Sequence, residues 1–429
     1  MQQRVAVIGA GAAGLCAARH LSRDLTLFHP VVFEQSDCVG GTWVYTENTE
    51  TDQYDLPVHS SMYSSLKTNL PKEIMAFPDF PFDKNLPSFI GHQDVLKYLI
   101  NYSEAYELNK FIKFHTRVES VQLLVENGKI RWNVQFCNVK EKHVPHEKQV
   151  FDAVMVCNGH YAIPKVPDIP GLASFTGIIS HSHTYRHAQD FQGKKLVVLG
   201  AGPSGIDIAL DLAEFAESIT LSHWKKPLKS PLPENMKQKA SIQEVVKNEV
   251  VFSDGSREVV DGIIFCTGYN YDFSFLHPDC KLAVNDNRVT PLYKHILHTH
   301  HPSLSFIGVC STICPFPLFS CQVRFVIASL TGSMQLPSKE QMELDIEKDY
   351  QKRLAEGLPQ RHAHAMGPRQ WQYNDDLCHL AHVQTVPNVV QKLYDAVVDE
   401  RKWNVANYKT NNFELIDDNT FDKLETAVH

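Results

Sequence analysis

Residues 5–14 read VAVIGAGAAG, an apolar run of strand character that passes directly into a glycine-rich turn. Residues 15–22 after it predict a helix, and residues 31–34 predict a second strand, which completes a βαβ unit. Gly9, Gly11 and Gly14 follow the pattern G-x-G-x-x-G, which suits a tight turn, the approach of a pyrophosphate and the packing of helix on strand. Glu34 follows Gly14 by 34 − 14 = 20 residues, where a carboxylate bonds ribose hydroxyls. We predict a dinucleotide site, and the alternative is a purely structural turn.

The same pattern returns at residues 196–205, which read LVVLGAGPSG. Gly200, Gly202 and Gly205 occupy the glycine positions, and a helix over 206–217 and a strand over 219–222 are expected to follow. Here the spacing of 225 − 205 = 20 residues arrives at Lys225, with Lys226 beside it. A cation in this place is what a 2′-phosphate requires, so this copy is predicted to prefer NADP to NAD. The alternative is that both lysines only face solvent.

Two dinucleotide sites in one chain imply that electrons pass from a nicotinamide to a flavin. Apolar runs that end in glycine, at 153–159 and 262–269, are expected to close the two sheets, and Pro164, Pro167 and Pro170 indicate a linker. The predicted fold class is α/β, with two Rossmann-like dinucleotide-binding domains, the smaller NADP domain inserted into the larger FAD domain. The predicted bounds are 1–164 and 271–429 for the FAD domain and 165–270 for the NADP domain. From about residue 335 we expect polar helices and an acidic tail.

Composition and charge exclude several classes of protein. In 429 residues, 41 basic and 49 acidic side chains give a net charge of −8 without a basic run, which argues against nucleic acid as a partner. The apolar segment 304–330 is interrupted by prolines and by polar Gln322 and Arg324, so no membrane span is predicted. No signal peptide is visible, so the predicted location is cytoplasmic, with a secreted form if such a peptide had been removed.

Cysteine and histidine patterns predict no metal site. The ten cysteines are scattered without a C-x-x-C pair, which favours reduced, buried thiols over a disulfide framework, a dithiol redox site or a zinc ribbon. His295, His298, His300 and His301 are close in sequence, but a metal site also needs fixed geometry and usually carboxylate or cysteine ligands. We therefore interpret them as a surface or core cluster.

The segment before the second glycine turn contains Phe175, Gly177, His181 and Tyr185, the pattern F-x-G-x-x-x-H-x-x-x-Y/F. With this fingerprint the chain resembles a flavin-containing monooxygenase over essentially its whole length. Related Baeyer–Villiger enzymes carry Trp at the last position, so Tyr185 favours oxygenation of a heteroatom. Further matches lie at 40–43, 66–73 and 266–269.

The resemblance implies roles for particular residues. Asn69 would lie beside the flavin ring and bond the retained nicotinamide cofactor; the alternative is a turn residue before Pro71. His181 would position the linker near NADP. The other implied FAD contacts are Gly41, Thr42, Trp43, Thr68, Gln322 and the main chain of Val118. On the NADP side the implied contacts are Ser204, Ser222, Lys225 and Lys226.

The resulting hypothesis is an FAD- and NADPH-dependent monooxygenase that passes one oxygen atom from O2, through a flavin C4a-hydroperoxide, to a nucleophilic nitrogen or sulfur. The short form after Lys226 resembles soluble insect-type members. This resemblance implies a small-molecule amine or sulfide substrate, with N-oxidation of a pyrrolizidine alkaloid such as senecionine as the example that the family offers. The alternatives are a Baeyer–Villiger monooxygenase on ketones, a pyridine-nucleotide flavin or disulfide reductase or oxidase, and a redox-inactive binding protein. A homo-oligomer is compatible with the sequence.

Overall fold

The computed structural model describes residues 2–141 and 146–424. Its α-helices are Ala12–Leu21 (α1), Lys72–Met75 (α2), His92–Ala105 (α3), Pro203–Ala213 (α4), Pro315–Thr331 (α5), Lys339–Ala355 (α6), Gln370–Leu380 (α7) and Asn388–Trp403 (α8). Its strands are Gln3–Ile8 (β1), Phe28–Phe33 (β2), Ile112–Lys113 (β3), Thr116–Glu126 (β4), Lys129–Asn138 (β5), Glu147–Phe151 (β6), Ala153–Val156 (β7), Ile163–Pro164 (β8), Ile178–His181 (β9), Lys195–Leu199 (β10), Ser218–Ser222 (β11), Met236–Lys239 (β12), Ile242–Val246 (β13), Glu249–Phe252 (β14), Arg257–Val259 (β15), Gly262–Phe265 (β16), Tyr269–Asn270 (β17), Ala283–Asn285 (β18), Arg288–Thr290 (β19), Leu292–Tyr293 (β20), Leu297–His298 (β21), Leu304–Phe306 (β22), Asn412–Leu415 (β23) and Phe421–Leu424 (β24).

The first sheet has the strand order β20-β21-β22-β7-β1-β2-β3, and β22 to β3 run parallel. Alternate residues of β1 enter two different cores, because successive side chains of a strand point to opposite faces. Val5 and Val7 pack against α1, α3, α5 and α7, whereas Ala6 and Ile8 pack against the antiparallel sheet β4-β5-β6. The first sheet is therefore covered on both faces, which suits parallel strands.

The second sheet has the order β12-β11-β10-β16-β9 and is parallel throughout. Leu196 and Val198 face a core formed with α4, and Val197 faces a second core formed with the antiparallel sheet β13-β14-β15. Both predicted βαβ units are thus confirmed. The two predicted closing runs are β7 and β16, and each lies beside the first strand of its unit.

The chain passes from one sheet to the other at two neighbouring places. β8 pairs antiparallel with β17, and the N–H of Lys165 donates to the carbonyl of Gly268 over 2.9 Å. The predicted domain limits at 165 and 270 fall at this pair of strands and stay predictions.

The described part of the C-terminal region contains an element that the prediction of an acidic tail does not include. Helices α6, α7 and α8 are present as expected, but β23 and β24 then form an antiparallel hairpin. The carboxylate of Asp417 accepts the N–H groups of Asn419 and Thr420 and so builds the turn, and the rings of Phe413 and Phe421 pack 6.0 Å apart. Residues 425–429, which the tail prediction includes, lie outside the described residues.

Candidate active site

The two glycine turns share one backbone geometry. Gly9 and Gly200 have φ angles of +102° and +114°, which only glycine adopts readily. Gly9 donates to the carbonyl of Phe33, and Gly200 donates to the carbonyl of Ser222, both over 2.8 Å. A Cβ on Gly14 or on Gly205 would lie 1.8 Å from the carbonyl oxygen of the first glycine in its turn. These four glycines therefore bring the helix against the strand in both turns.

The middle glycine of each turn leaves room for a ligand. Gly11 and Gly202 are the N-caps of α1 and α4, and neither supplies a side chain to the free N–H groups of the first helical turn. A Cβ on Gly202 would have no heavy atom within 4 Å, and one on Gly11 would meet only Gly41. Open space over a helix N-terminus is where a pyrophosphate binds, so both turns fit the predicted dinucleotides.

Glu34 lies where the predicted ribose contact needs it. Its side chain is buried; one carboxylate oxygen accepts the N–H of Ala10 over 2.8 Å, and the other accepts the N–H and the hydroxyl of Ser36, both over 2.8 Å. The carboxylate is thereby fixed beside the first glycine turn. Ionised carboxylate oxygens have further lone pairs, which suit ribose hydroxyls.

The segment 40–43 closes over the same turn. Gly40 donates to the carbonyl of Ala10 over 3.1 Å, and a Cβ on Gly41 would lie 2.9 Å from Cα of Gly11. The carbonyl of Thr42 accepts the hydroxyl of Ser60 over 2.9 Å, and Trp43 packs half-buried on the core. Gly41, Thr42 and Trp43 are therefore brought together with Gly9, Gly11 and Gly14.

Thr68 and Asn69 differ in their surroundings. Thr68 is buried, donates through its N–H to the carbonyl of Ile90 over 2.9 Å, and accepts the N–H of Ile90 at its hydroxyl over 3.2 Å. Asn69 is half-buried, and its side-chain amide bonds no other residue that the structure describes. A rigid backbone with a free amide is the arrangement that the predicted cofactor contact requires.

Val118 lies on β4 close to Glu34. The N–H of Thr116, two residues earlier, donates to the carbonyl of Glu34 over 2.8 Å, and the pairing of β4 with β5 is irregular between Val118 and Ser120. The Val118 side chain is buried in the core, so only its main chain can meet a ligand. This placement agrees with the predicted main-chain role.

Gln322 differs from its prediction. It is fully buried on α5; its amide oxygen accepts the N–H of Gly308 over 2.9 Å, and its amide nitrogen donates to the hydroxyl of Tyr373 over 3.0 Å. Because protein groups engage both ends of this amide, the structure does not support a direct contact with the flavin ring. Gln322 instead holds the turn that follows β22 against α5 and α7.

In the second unit, residue spacing does not identify the structural counterpart of Glu34. Ile8 pairs with Phe33 in the first unit, and Leu199 pairs with Ser222 in the second, so the structural counterpart of Glu34 is His223 and not Lys225. The connection between helix and strand spans residues 22–27 in the first unit but only 214–217 in the second. Counting 20 residues from Gly205 therefore passes the structural counterpart of Glu34 and reaches Lys225.

His223 is buried, and its Nε2 lies 3.2 Å from the side-chain oxygen of Gln238. That oxygen also accepts the N–H of Leu228 over 2.7 Å, so Nε2 of His223 carries the proton and donates. Nδ1 of His223 has no partner among the described residues. It is an unused polar atom at the end of β11, which residue spacing missed.

The other predicted NADP contacts divide into two groups. Lys225 and Lys226 are exposed, and Ser204 is exposed at the second position of α4; the described residues offer none of the three a hydrogen-bond or ion-pair partner. They are free to meet a phosphate. Ser222, in contrast, is fully buried and donates to the carbonyl of Ala240 over 2.7 Å, because its side chain points into the sheet core. The side chain of Ser222 is therefore already engaged, and its predicted contact stays a prediction.

The fingerprint segment joins the two sheets. Nδ1 of His181 accepts the N–H of His183 over 3.0 Å, and burial lowers the pKa of His181 to about 4. Tyr185 donates to the carboxylate of Asp211 on α4 over 2.6 Å. Arg186, which sequence patterns missed, is buried and donates to the carbonyls of Thr46 and His183.

The sequence predicts neither a metal site nor a membrane span. In the described ranges 2–141 and 146–424, His, Cys, Asp and Glu side chains form no group that could hold a metal ion. His298 and His301 stack, whereas His295 lies apart and meets His364, with 2.9 Å between their Nδ1 atoms. Over the same residues, every helix is too short or too polar to cross a bilayer.

The paired turns, the two parallel sheets and the fingerprint segment define a flavoprotein that also binds a nicotinamide dinucleotide. The description of the flavin-binding monooxygenase-like family matches residues 2–226 and 230–399, so the chain belongs to this family. The predicted flavin cofactor and the predicted class of enzyme, a flavin-dependent monooxygenase, are thereby confirmed.

Two of the similar proteins are plant enzymes. Flavin-containing monooxygenase FMO GS-OX5 of Arabidopsis thaliana is 40% identical over 388 residues, which cover 86% of this chain and 83% of the relative. The structure of S-allyl-L-cysteine S-oxygenase from Allium sativum has a TM-score of 0.87 and 36% identity, with 95% of both chains covered. Oxidised steroid monooxygenase bound to NADP has a TM-score of 0.60 at 15% identity, with 89% of this chain and 98% of that chain covered, and it shares the fold.

Proposed function

We propose that this monooxygenase transfers one oxygen atom of O2 to a nucleophilic sulfur or nitrogen of a small molecule. The observation that carries the proposal is a chain with two open dinucleotide cradles in which the half-buried amide of Asn69 bonds no other described residue. Similarity to S-allyl-L-cysteine S-oxygenase over 95% of the chain favours a sulfide as the first candidate.

The cofactors have defined positions in this proposal. The free N–H groups at the start of α1 bind the pyrophosphate of FAD, and Glu34 bonds its ribose. Those at the start of α4 bind the pyrophosphate of NADPH, with Ser204, Lys225 and Lys226 close to its phosphates. Once reduced by NADPH, FAD supplies the electrons that activate O2.

The polypeptide has to position and shield these groups. An amide does not titrate, so Asn69 acts as a fixed donor and acceptor that keeps the nicotinamide in place. Buried Thr68 and Leu70 on either side of half-buried Asn69 hold its backbone in place. Exclusion of water protects the activated oxygen until the substrate arrives.

Nitrogen is the second candidate atom, and a ketone is the main alternative substrate. Tyr185, not Trp, ends the fingerprint; its hydroxyl bonds Asp211 and its ring packs against Tyr63 and Phe191, so this tyrosine links the fingerprint to α4. Oxygenation of a tertiary amine, including an alkaloid of the pyrrolizidine type, follows from the insect-type resemblance. That resemblance, the oligomeric state and the cytoplasmic location stay predictions.

One substrate panel tests the proposal. The purified enzyme with NADPH and O2 receives S-allyl-L-cysteine, a tertiary amine or cyclohexanone, and mass spectrometry detects a product that is heavier by one oxygen atom. We expect the sulfoxide first, the N-oxide second and no lactone. The Gly11→Leu variant, which blocks the FAD cradle, serves as the control without flavin. A lactone as the main product would establish the Baeyer–Villiger alternative, and NADPH oxidation that yields only hydrogen peroxide with all three would contradict the proposal.

A further inference from the structure

Helices α5 and α7 bring two cysteines into contact. Sγ of Cys321 and Sγ of Cys378 lie 3.4 Å apart, although the residues are separated by 57 positions in the sequence. Both side chains are fully buried, and all ten cysteines are free thiols. A disulfide requires the two sulfur atoms to approach to about 2 Å, so bond formation would have to bring them closer than their present 3.4 Å.

A guanidinium group lies against both sulfur atoms. Nη2 of Arg324 is 3.6 Å from Sγ of Cys321 and 3.6 Å from Sγ of Cys378. Nε of Arg324 donates to the carbonyl of Ser320 over 3.2 Å, and Nη1 donates to that of Gln384 over 2.9 Å, so the guanidinium is held in place. A fixed positive charge next to a thiol favours the thiolate, which is the reactive form.

The two thiols have different acidities. The sulfur–sulfur contact with Cys321 lowers the pKa of Cys378 below its ordinary value; burial opposes this shift, and Arg324 adds to it. The pKa of Cys321 is raised by the same contact and by burial. Each of the other eight cysteines has a raised pKa, as buried or acid-flanked thiols do.

We propose that Cys378 and Cys321 are a peroxide-sensitive pair that forms a reversible disulfide between α5 and α7. The thiolate of Cys378 attacks one oxygen of a hydroperoxide; the O–O bond breaks, a sulfenic acid forms and water or an alcohol leaves. The sulfur of Cys321 then attacks the sulfur of Cys378, and the S–O bond breaks. The Cys321 proton joins the departing hydroxide, so two thiols and one hydrogen peroxide become one disulfide and two waters.

The pair lies close to the protein surface, although both cysteine side chains are buried. Cys378 lies in the last turn of α7, where His379 and Leu380 are exposed, and Arg324 reaches the exposed carbonyl of Gln384. Gln322, which follows Cys321 on α5, bonds Tyr373 of α7 and so joins the same two helices. A cross-link would therefore fasten the two helices that hold the turn at Gly308. The proposal does not depend on which substrate the enzyme oxygenates.

Peptide mapping tests the proposal directly. The folded holoenzyme is exposed to hydrogen peroxide at pH 7, blocked with N-ethylmaleimide and digested without reduction. We expect a peptide pair joined through Cys321 and Cys378, which dithiothreitol releases. The oxidised protein should melt several degrees higher, because the cross-link closes a long loop. Cross-links that appear only after denaturation, or oxidation spread evenly over the ten cysteines, would overturn the proposal.

Variants separate the roles of the three residues. Cys321→Ser should leave a sulfenic acid on Cys378 that dimedone traps, whereas Cys378→Ser should leave Cys321 unlabelled. Arg324→Gln should slow the reaction at pH 7 but not near pH 10, where the thiol ionises without help. Cys314→Ser, at another buried cysteine of the same core, is the matched control and should cross-link like the parent protein. If the Arg324→Gln variant reacts as fast as the parent protein at pH 7 as well as near pH 10, the assigned role of the guanidinium is contradicted.

Discussion

The ammonium group of Lys409 lies 2.6 Å from the carboxylate of Asp207, a contact that joins the C-terminal segment to α4 of the second sheet. The same ammonium donates to the carbonyl of Lys67 over 3.1 Å, two residues before Asn69. Val405 extends the contact, because its N–H donates to the hydroxyl of Ser230 over 2.9 Å and its side chain enters the core around α4. One lysine thus connects the coenzyme half of the molecule with the Asn69 segment.

Replacement of Lys409 by Met should loosen this connection. Loss of a pair that is mostly shielded from water leaves Asp207 without its partner, so we expect KM for NADPH to rise about 3- to 10-fold, with unchanged FAD content. Steady-state kinetics and flavin absorbance measure the two effects. Lys402→Met, which removes an exposed pair with Asp399, is the control and should change neither. Loss of flavin in Lys409→Met would show that this lysine supports the whole fold instead.

Two glycines of one turn should respond differently to alanine. Gly205→Ala places a methyl group 1.8 Å from the carbonyl of Gly200, and we expect a loss of about 3 kcal/mol or more in the free energy of unfolding. Gly202→Ala meets no atom within 4 Å, so it should fold normally. Its methyl group nevertheless occupies the pyrophosphate position and should raise KM for NADPH at least tenfold. Chemical denaturation and coenzyme kinetics distinguish the two outcomes, and equal stability of both variants would contradict this account.

Coenzyme choice should depend on His223 as well as on the two lysines. His223→Glu puts a carboxylate at the position that Glu34 occupies in the other unit, where it repels a 2′-phosphate and accepts from a ribose hydroxyl. We expect kcat/KM for NADPH to fall about 10- to 150-fold relative to NADH, the range of one charge-assisted contact. The Lys225→Ala, Lys226→Ala double variant should shift the same ratio in the same direction. If only the lysines change the ratio, His223 has a structural role alone.

Asn69→Ala should uncouple NADPH oxidation from oxygen transfer. The variant keeps the FAD cradle, so flavin content and NADPH oxidation persist, but the nicotinamide is held less firmly and water enters. Hydrogen peroxide formed per sulfoxide formed should increase several-fold, as measured by a peroxidase assay next to product analysis. Asn285→Ala, on exposed β18, is the control. An unchanged ratio would make Asn69 the turn residue of the alternative interpretation.

Acid should destabilise the protein through its buried histidines. Burial lowers the pKa of His160, His181 and His298 to about 4, and that of His20 to about 3. These side chains are neutral in the folded state and bind protons near pH 6.5 when unfolded, so stability falls as the pH drops from about 6.5 towards 4. His298→Gln should reduce the slope of melting temperature against pH in this window, and His29→Gln, at an exposed position of β2, should not. If the slope of melting temperature against pH is the same in the parent protein, His298→Gln and His29→Gln, the pH dependence does not come from the buried His298.

Local sequence determined the fold class and the first dinucleotide site. Strand, turn and helix follow one another within about 30 residues in each unit, and Gly9, Gly14 and Glu34 act through neighbours that are close in sequence. Glu34 therefore lies directly after β2 beside the first glycine turn, which is where the spacing rule places it. The spacing rule failed for the second unit, where a shorter connection between α4 and β11 moved the equivalent position to His223.

Only the tertiary structure decided which polar side chains are free and which are already engaged. Gln322 and Ser222 looked available in the sequence, but packing of α5 and of β11 turned them into groups that bond other protein atoms. The contacts of Lys409 with Lys67 and of Cys378 with Cys321 join residues 342 and 57 positions apart. No local pattern encodes such pairs, because hydrogen-bond partners and buried thiol contacts depend on how complete helices and sheets pack against each other.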